Sequence, residues 1–82
     1  MSLEDEMIQR IRQALPEAKV HLSDLTGTRD HWEAVIIASG FEGMGRLQRQ
    51  RTVFGALGDL MRGPIHALTF KTLTPAEADK EN

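Results

Sequence analysis

Val35, Ile36 and Ile37 stand side by side within the stretch Trp32 to Ser39, and this run limits the folds open to the chain more than any other feature. Adjacent β-branched residues suit a central strand with both faces partly covered better than a half-solvated strand, which would alternate apolar and polar positions. The chain has 82 residues and no cysteine, so no disulfide framework can hold it. A chain of that size buries only about 60–65% of its unfolded surface, enough for one thin core. The expectation is a single domain over residues 1–82: one sheet with this strand at its centre and helices on one face.

Flanking patterns supply the helices. Ser2 is placed to cap a first helix, with Glu4, Asp5 and Glu6 in the first turn, where the helix dipole favours negative charge. Leu3, Met7, Ile11 and Leu15 recur at helical spacing, with Ile8 and Ala14 widening the stripe, and Pro16 ends the helix. Lys19 to Ser23 alternates, Val20 and Leu22 facing one way and His21 and Ser23 the other, which predicts a half-buried strand. Asp24 to Asp30, with Gly27, predicts a loop. Gly40, Gly43 and Gly45 predict a turn that folds Phe41 onto the core.

A helical region follows from Arg46 to Arg62, with Val53, Leu57, Leu60 and Met61 on its buried face and Phe54 also expected inside. Thr52 is expected to cap a second helix within it. Gly55 and Gly58 are expected to permit close packing. Gly63-Pro64 predicts a stop, with glycine in the left-handed position. Ile65 to Leu73 predicts a third strand, and Thr74-Pro75-Ala76-Glu77 a capped helix start. The last residues, within 76–82, are expected to fray. The order is α-β-β-α-α-β-α, an α/β (α+β) arrangement. Strands one and two should form an antiparallel hairpin. The helical crossover should make strands two and three parallel if adjacent, with the right-handed connection.

No catalytic constellation is visible: there is no serine–histidine–aspartate spacing, no phosphate-binding loop and no pair of carboxylates in an apolar setting. The chain is expected not to be an enzyme. Residues 1–15 are amphipathic rather than a leader, and the longest apolar run, Ala34 to Ala38, is too short to span a bilayer. A cytoplasmic protein, free of the membrane and monomeric when alone, is the expectation.

Net charge is −2, which does not advertise a nucleic-acid binder. Arg46, Arg49, Arg51 and Arg62 nevertheless cluster. Arg46, Arg49 and Arg51 would form a phosphate-binding strip, and so a DNA contact, if exposed together; the alternative is an ordinary solvated helix face. Gly40-Phe41-Glu42-Gly43 spells the G-x-x-G of nucleotide-clamping loops, but it follows a strand, and Glu42 would repel phosphate.

Three histidines remain. His66 opens the third strand after the glycine–proline stop, where a metal or partner could reach it; a half-buried structural histidine is the alternative. His31 precedes Trp32 at the end of the first long loop. His21 lies within strand one and is expected on the sheet surface. Two imidazoles without a thiolate make a poor closed zinc site, since zinc takes four ligands; an open site completed by a partner's cysteine is more sensible.

The segment Pro64 to Glu77, with its His66-Ala67-Leu68, follows Phe41-Glu42-Gly43 and Gln48-Arg49-Gln50-Arg51 in an order and spacing that resembles the BolA-like family, and most closely its short bacterial IbaG-like branch. The resemblance runs from about Val20 to Glu77. It implies a class II KH-like fold with a three-stranded mixed sheet. It also implies a non-enzymatic partner of a monothiol glutaredoxin in iron–sulfur assembly, trafficking or sensing. In that role His66 is an iron ligand of a shared [2Fe–2S] cluster, His31 the more variable second ligand, and His21 its rival. The remaining thiolates come from the glutaredoxin and its bound glutathione, and no cofactor is expected on the chain alone. Imidazole suits iron in such clusters, and it must be neutral at the ligating nitrogen, so cluster binding should weaken as pH falls towards about 6. The resemblance leaves a second function open, that of a DNA-binding transcriptional regulator.

Overall fold

Six regular elements build the protein in the computed structural model, which describes residues 2–27, 31–63, 65 and 67–80. Helix α1 spans Leu3–Ala14, strand β1 Lys19–Asp24, strand β2 His31–Ile37, helix α2 Arg46–Leu57, strand β3 Ala67–Leu73 and helix α3 Pro75–Lys80. Two 3₁₀ turns, Ser39–Phe41 and Gly58–Arg62, flank α2. The sheet order is β1-β2-β3. β1 pairs antiparallel with β2, His21 opposite Val35, and β2 pairs parallel with β3, Ala34 opposite Phe70. The order is as expected, with the 3₁₀ turn Gly58–Arg62 standing where the sequence predicts a second crossover helix, and so are the parallel crossover and the central place of the β-branched run.

The pleat of β2 divides the molecule. Trp32, Ala34 and Ile36 are buried and point to the side covered by α1 and α2. His31, Glu33, Val35 and Ile37 belong to the other side. Met7, Ile11 and Leu15 from α1, with Val53 and Leu57 from α2 and Leu60 just beyond it, complete the core. Ala14, at the last turn of α1, is exposed instead of widening the stripe. The Ser2 hydroxyl accepts from the Asp5 amide at 3.2 Å, which is the anticipated cap. Arg10 fastens α1 to the far end of α2: its guanidinium donates to the Leu57 carbonyl at 3.1 Å and to Asp59.

Phe41 is completely enclosed, delivered by the 3₁₀ turn and released by Gly43 at φ +82°. Gly40 packs against the end of α1: a Cβ there would lie 2.8 Å from Leu15 Cδ2, so a larger residue would force the Leu15 side chain to move.

The helical region departs from expectation in three places. α2 is continuous from Arg46, capped by the backbone at Gly45, and Thr52 lies within it. The Thr52 hydroxyl donates back to the Gln48 carbonyl at 2.9 Å, the bond a mid-helix threonine makes when its amide is already committed. The break comes at Gly58, whose φ of +52° ends α2, while Gly63, at φ −124°, is not left-handed. Gly55 has open space where a Cβ would stand, and at Gly58 a Cβ would meet only Arg10 Nη1 at an ordinary 3.7 Å, so neither marks a close contact.

The division of β2 into two sides can be tested by truncation. Ile36→Ala should lower unfolding free energy by about 2–5 kcal/mol, the usual range for a fully buried isoleucine. Ile37→Ala, half-buried on the opposite side, should lose less than half as much; urea denaturation of the two variants measures the difference.

Candidate functional site

One end of the sheet collects the starts of β2 and β3. Asp24 prepares it: its Oδ1 accepts from the amides of Thr26 at 3.3 Å and Gly27 at 3.0 Å, turning the chain out of β1. The Leu25 amide then donates to the His31 carbonyl at 2.9 Å and closes the hairpin. His31 is therefore the first residue of β2 and half-buried, rather than a loop residue. The parallel register sets it opposite Ala67. Ala67 follows His66 in the chain, and Ile65 precedes it, buried in the core with its amide bonded to the Leu60 carbonyl at 3.1 Å. His66 and Pro64, which carry the leading site assignment and part of the predicted stop, lie outside the described residues, as does Asp30.

His21 is exposed at mid-strand, opposite Val35. Four residues of β2 separate that level from His31, about 13 Å along the strand. The two histidines do not share a site. No group of three or more histidine, cysteine or acidic residues able to hold a metal occurs among the described residues.

The arginine strip is not a strip. Arg46 and Arg51 are exposed, but the Arg49 side chain is only 13% exposed and fully engaged. Its Nε donates to the Met44 carbonyl at 3.0 Å, and its Nη1 to the Thr72 carbonyl at 3.2 Å and to Glu77 Oε1 at 2.6 Å. Its guanidinium carbon lies 5.7 Å from the Phe41 ring centroid, over the ring. Glu77 also accepts from the Thr74 amide at 2.8 Å while the Thr74 hydroxyl accepts from the Glu77 amide at 3.2 Å, so the expected capping box of α3 exists and Arg49 grips it. Nothing in the local sequence of α2 marks Arg49 for this. Its partners lie more than twenty positions away, apart from Met44 and Phe41.

Phe54 is the other departure. It is 41% exposed and meets Phe70 edge-to-face, ring centroids 5.1 Å apart. The core side of α2 is set by Val53 and Leu57, and one step of about 100° carries Phe54 to the rim beside β3.

A hairpin followed by a parallel helical crossover, with two long helices on one face, is the BolA fold. Plant BolA1 from Arabidopsis thaliana has the same fold at a TM-score of 0.85, with 25% sequence identity over 94% of this chain and 96% of that one. The family model described as BolA-like protein matches residues 3–77, and the chain belongs to that family. The acid stress protein IbaG of Escherichia coli K12 is 35% identical over 77 residues, covering 92% of this chain and 88% of the relative. BolA-like protein 1 of Bos taurus is 43% identical over 56 residues; those cover 68% of this chain but 41% of that protein, so the chain spans less than half the length of that curated relative.

Arg49 holds the Glu77 carboxyl at about 2, well below its ordinary value of 4.5, first through their hydrogen bond and then with the help of the Thr74 amide. A carboxylate depressed in the folded state stabilises the fold above its unfolded pKa, and loses that contribution as pH falls through the folded one. Glu77→Gln should therefore melt at a lower temperature than the parent at pH 7. The gap should narrow below pH 4.5 and close near about 2, as read by thermal circular dichroism.

Proposed function

We propose that this chain is a cytoplasmic, non-enzymatic partner of a monothiol glutaredoxin, sharing a [2Fe–2S] cluster with it in iron–sulfur assembly, trafficking or sensing. Membership of the BolA-like family and the likeness to IbaG support this reading. The observation that carries it is the register of the parallel pair. His31 opens β2 directly opposite Ala67, the residue that follows His66 in the chain.

The chemistry of the donor set agrees. The chain offers imidazole nitrogen and no thiolate, so it cannot close a cluster site alone. A glutaredoxin cysteine and its glutathione supply the sulfur donors, and imidazole takes the coordination left open, as it does on one iron of Rieske centres. His66 is the primary ligand and His31 the adjustable one. The hairpin turn at Asp24 and the strand pairing of His31 hold the second donor in place before any partner arrives, which reduces the ordering that binding demands.

Anaerobic reconstitution with a monothiol glutaredoxin and glutathione, followed by visible absorption and circular dichroism, tests the assignment. His66→Ala should remove the mixed-ligand spectrum while the two proteins still associate. His31→Ala should alter or destabilise it, and His21→Ala should leave it unchanged. An unaltered spectrum in His66→Ala overturns the ligand role. For a DNA-binding role, Arg46→Gln with Arg51→Gln is the informative pair, because replacing Arg49 would also release α3. Loss of cluster sharing in that still-folded double variant would mean that the two surfaces overlap.

A further inference from the structure

β1 is an edge strand. β2 lies on one side of it, and its other side carries no strand among the described residues. The Leu25 amide bonds the His31 carbonyl on the β2 side, and backbone direction alternates along a strand. The amides and carbonyls of Lys19, His21 and Ser23 therefore turn to β2, while those of Val20 and Leu22 turn outward. Just before the strand, Ala18 is closed: its amide donates to the Leu15 carbonyl at 2.9 Å and its carbonyl accepts from Arg12 Nε at 3.1 Å. Val20 and Leu22 are left as a short, open template. The opposite edge of the sheet is interrupted instead, because Arg49 Nη1 holds the outward carbonyl of Thr72 at 3.2 Å.

The side chains around the β1 edge complement themselves. On the helix side Val20 and Leu22 pack against the core yet are only half-buried, so both keep apolar surface at the rim. On the open side of the sheet Lys19, His21 and Ser23 are exposed, and the antiparallel register sets exposed Glu33 directly beside Ser23. The side chains of Lys19 and Glu33 make no ion pair or hydrogen bond among the described residues. They cannot reach each other within one chain, because their rows lie about 13 Å apart along the strands. Glu17 and Asp79 share a hollow with Lys19, and Glu17 already accepts from the Ser39 hydroxyl at 3.0 Å.

We propose that the outer edge of β1 binds the same edge of a second copy of this chain, antiparallel, with a two-fold axis at His21. Val20 and Leu22 of the second copy then exchange main-chain hydrogen bonds reciprocally, and the two three-stranded sheets merge into one. On the helix side Val20 stands against Leu22 of the second copy. On the open side Lys19 stands opposite Ser23 of the second copy, with Glu33 of that copy one strand further along the same row. Two strand spacings separate the lysine and the glutamate, about 10 Å between Cα atoms, which their extended side chains span across the small serine. The symmetry makes this ion pair twice. Neighbouring registers fit worse. A slip one way sets Leu22 against the closed Ala18, and a slip the other way sets Val20 against the Asp24 carboxylate and moves Lys19 away from Glu33. A dimer of this kind departs from the monomer expected from the sequence, and it needs neither glutaredoxin nor iron.

Sedimentation velocity of the full chain should show a dimer forming as its concentration rises from about 10 µM to about 1 mM. In the nitrogen-15-labelled chain, amide exchange at Val20 and Leu22 should slow over that range, while Leu68 and Phe70 on the other edge stay unchanged. Lys19→Glu and Glu33→Lys should each weaken the dimer at least about tenfold, because each brings like charges together at both ion pairs. Both residues are exposed, so the variants should keep their fold. Lys19→Glu combined with Glu33→Lys should restore association. A monomer at every concentration, protection at Leu68 and Phe70 in place of Val20 and Leu22, or a double variant no stronger than the single ones overturns the proposal.

Discussion

Trp32, Ala34 and Ile36 project from the middle strand into the space beneath α1 and α2, and the burial of that one side of β2 organises the molecule. The hairpin brings β1 against one edge, and the crossover through α2 brings β3 against the other. Because the crossover is helical, β3 returns in the same direction as β2, and the two strands begin at the same end of the sheet. A hairpin return would have put the start of β3 at the opposite end, far from His31. The shared end is thus a consequence of the helical crossover, which makes β2 and β3 parallel.

A second interaction limits what the surface can do. Arg49 looks like one of several surface cations, yet it holds the Met44 carbonyl, the Thr72 carbonyl and the Glu77 carboxylate, and lies over Phe41. It joins the turn before α2, the last part of β3 and the first turn of α3. A guanidinium with four of its five N–H groups so committed presents no free fork to a phosphate. The basic character of the α2 surface rests on the exposed Arg46 and Arg51 instead.

Much of the architecture was legible from residue pattern. The stripes of α1 and α2, the alternation in β1, the β-branched run of β2 and the Thr74–Glu77 capping box each carry a local signal with one natural reading. The errors have a common cause. Thr52 has a capping side chain, Gly63 precedes a proline, and Phe54 is large and apolar, so each satisfies a local rule. The outcome depended on competition: continuous hydrogen bonding from Gly45 made Thr52 a mid-helix residue, and Gly58 took the positive φ first. The choice of Val53 and Leu57 for the core turned Phe54 to the rim.

The sequence by itself determined which residues could donate to a metal, that no thiolate was among them, where the apolar stripes lay and the order in which strands and helices follow. It could not determine which donors share a place. His21 and His31 are both histidines near the hairpin, and only the antiparallel register separates them along the strand. Arg46, Arg49 and Arg51 are equivalent in a list of charges, and only the meeting of the turn before α2, the end of β3 and α3 around Arg49 withdraws it from the surface. These were tertiary decisions because hydrogen-bond partners and burial depend on segments that meet after folding, whereas periodicity and donor chemistry belong to the chain at any stage.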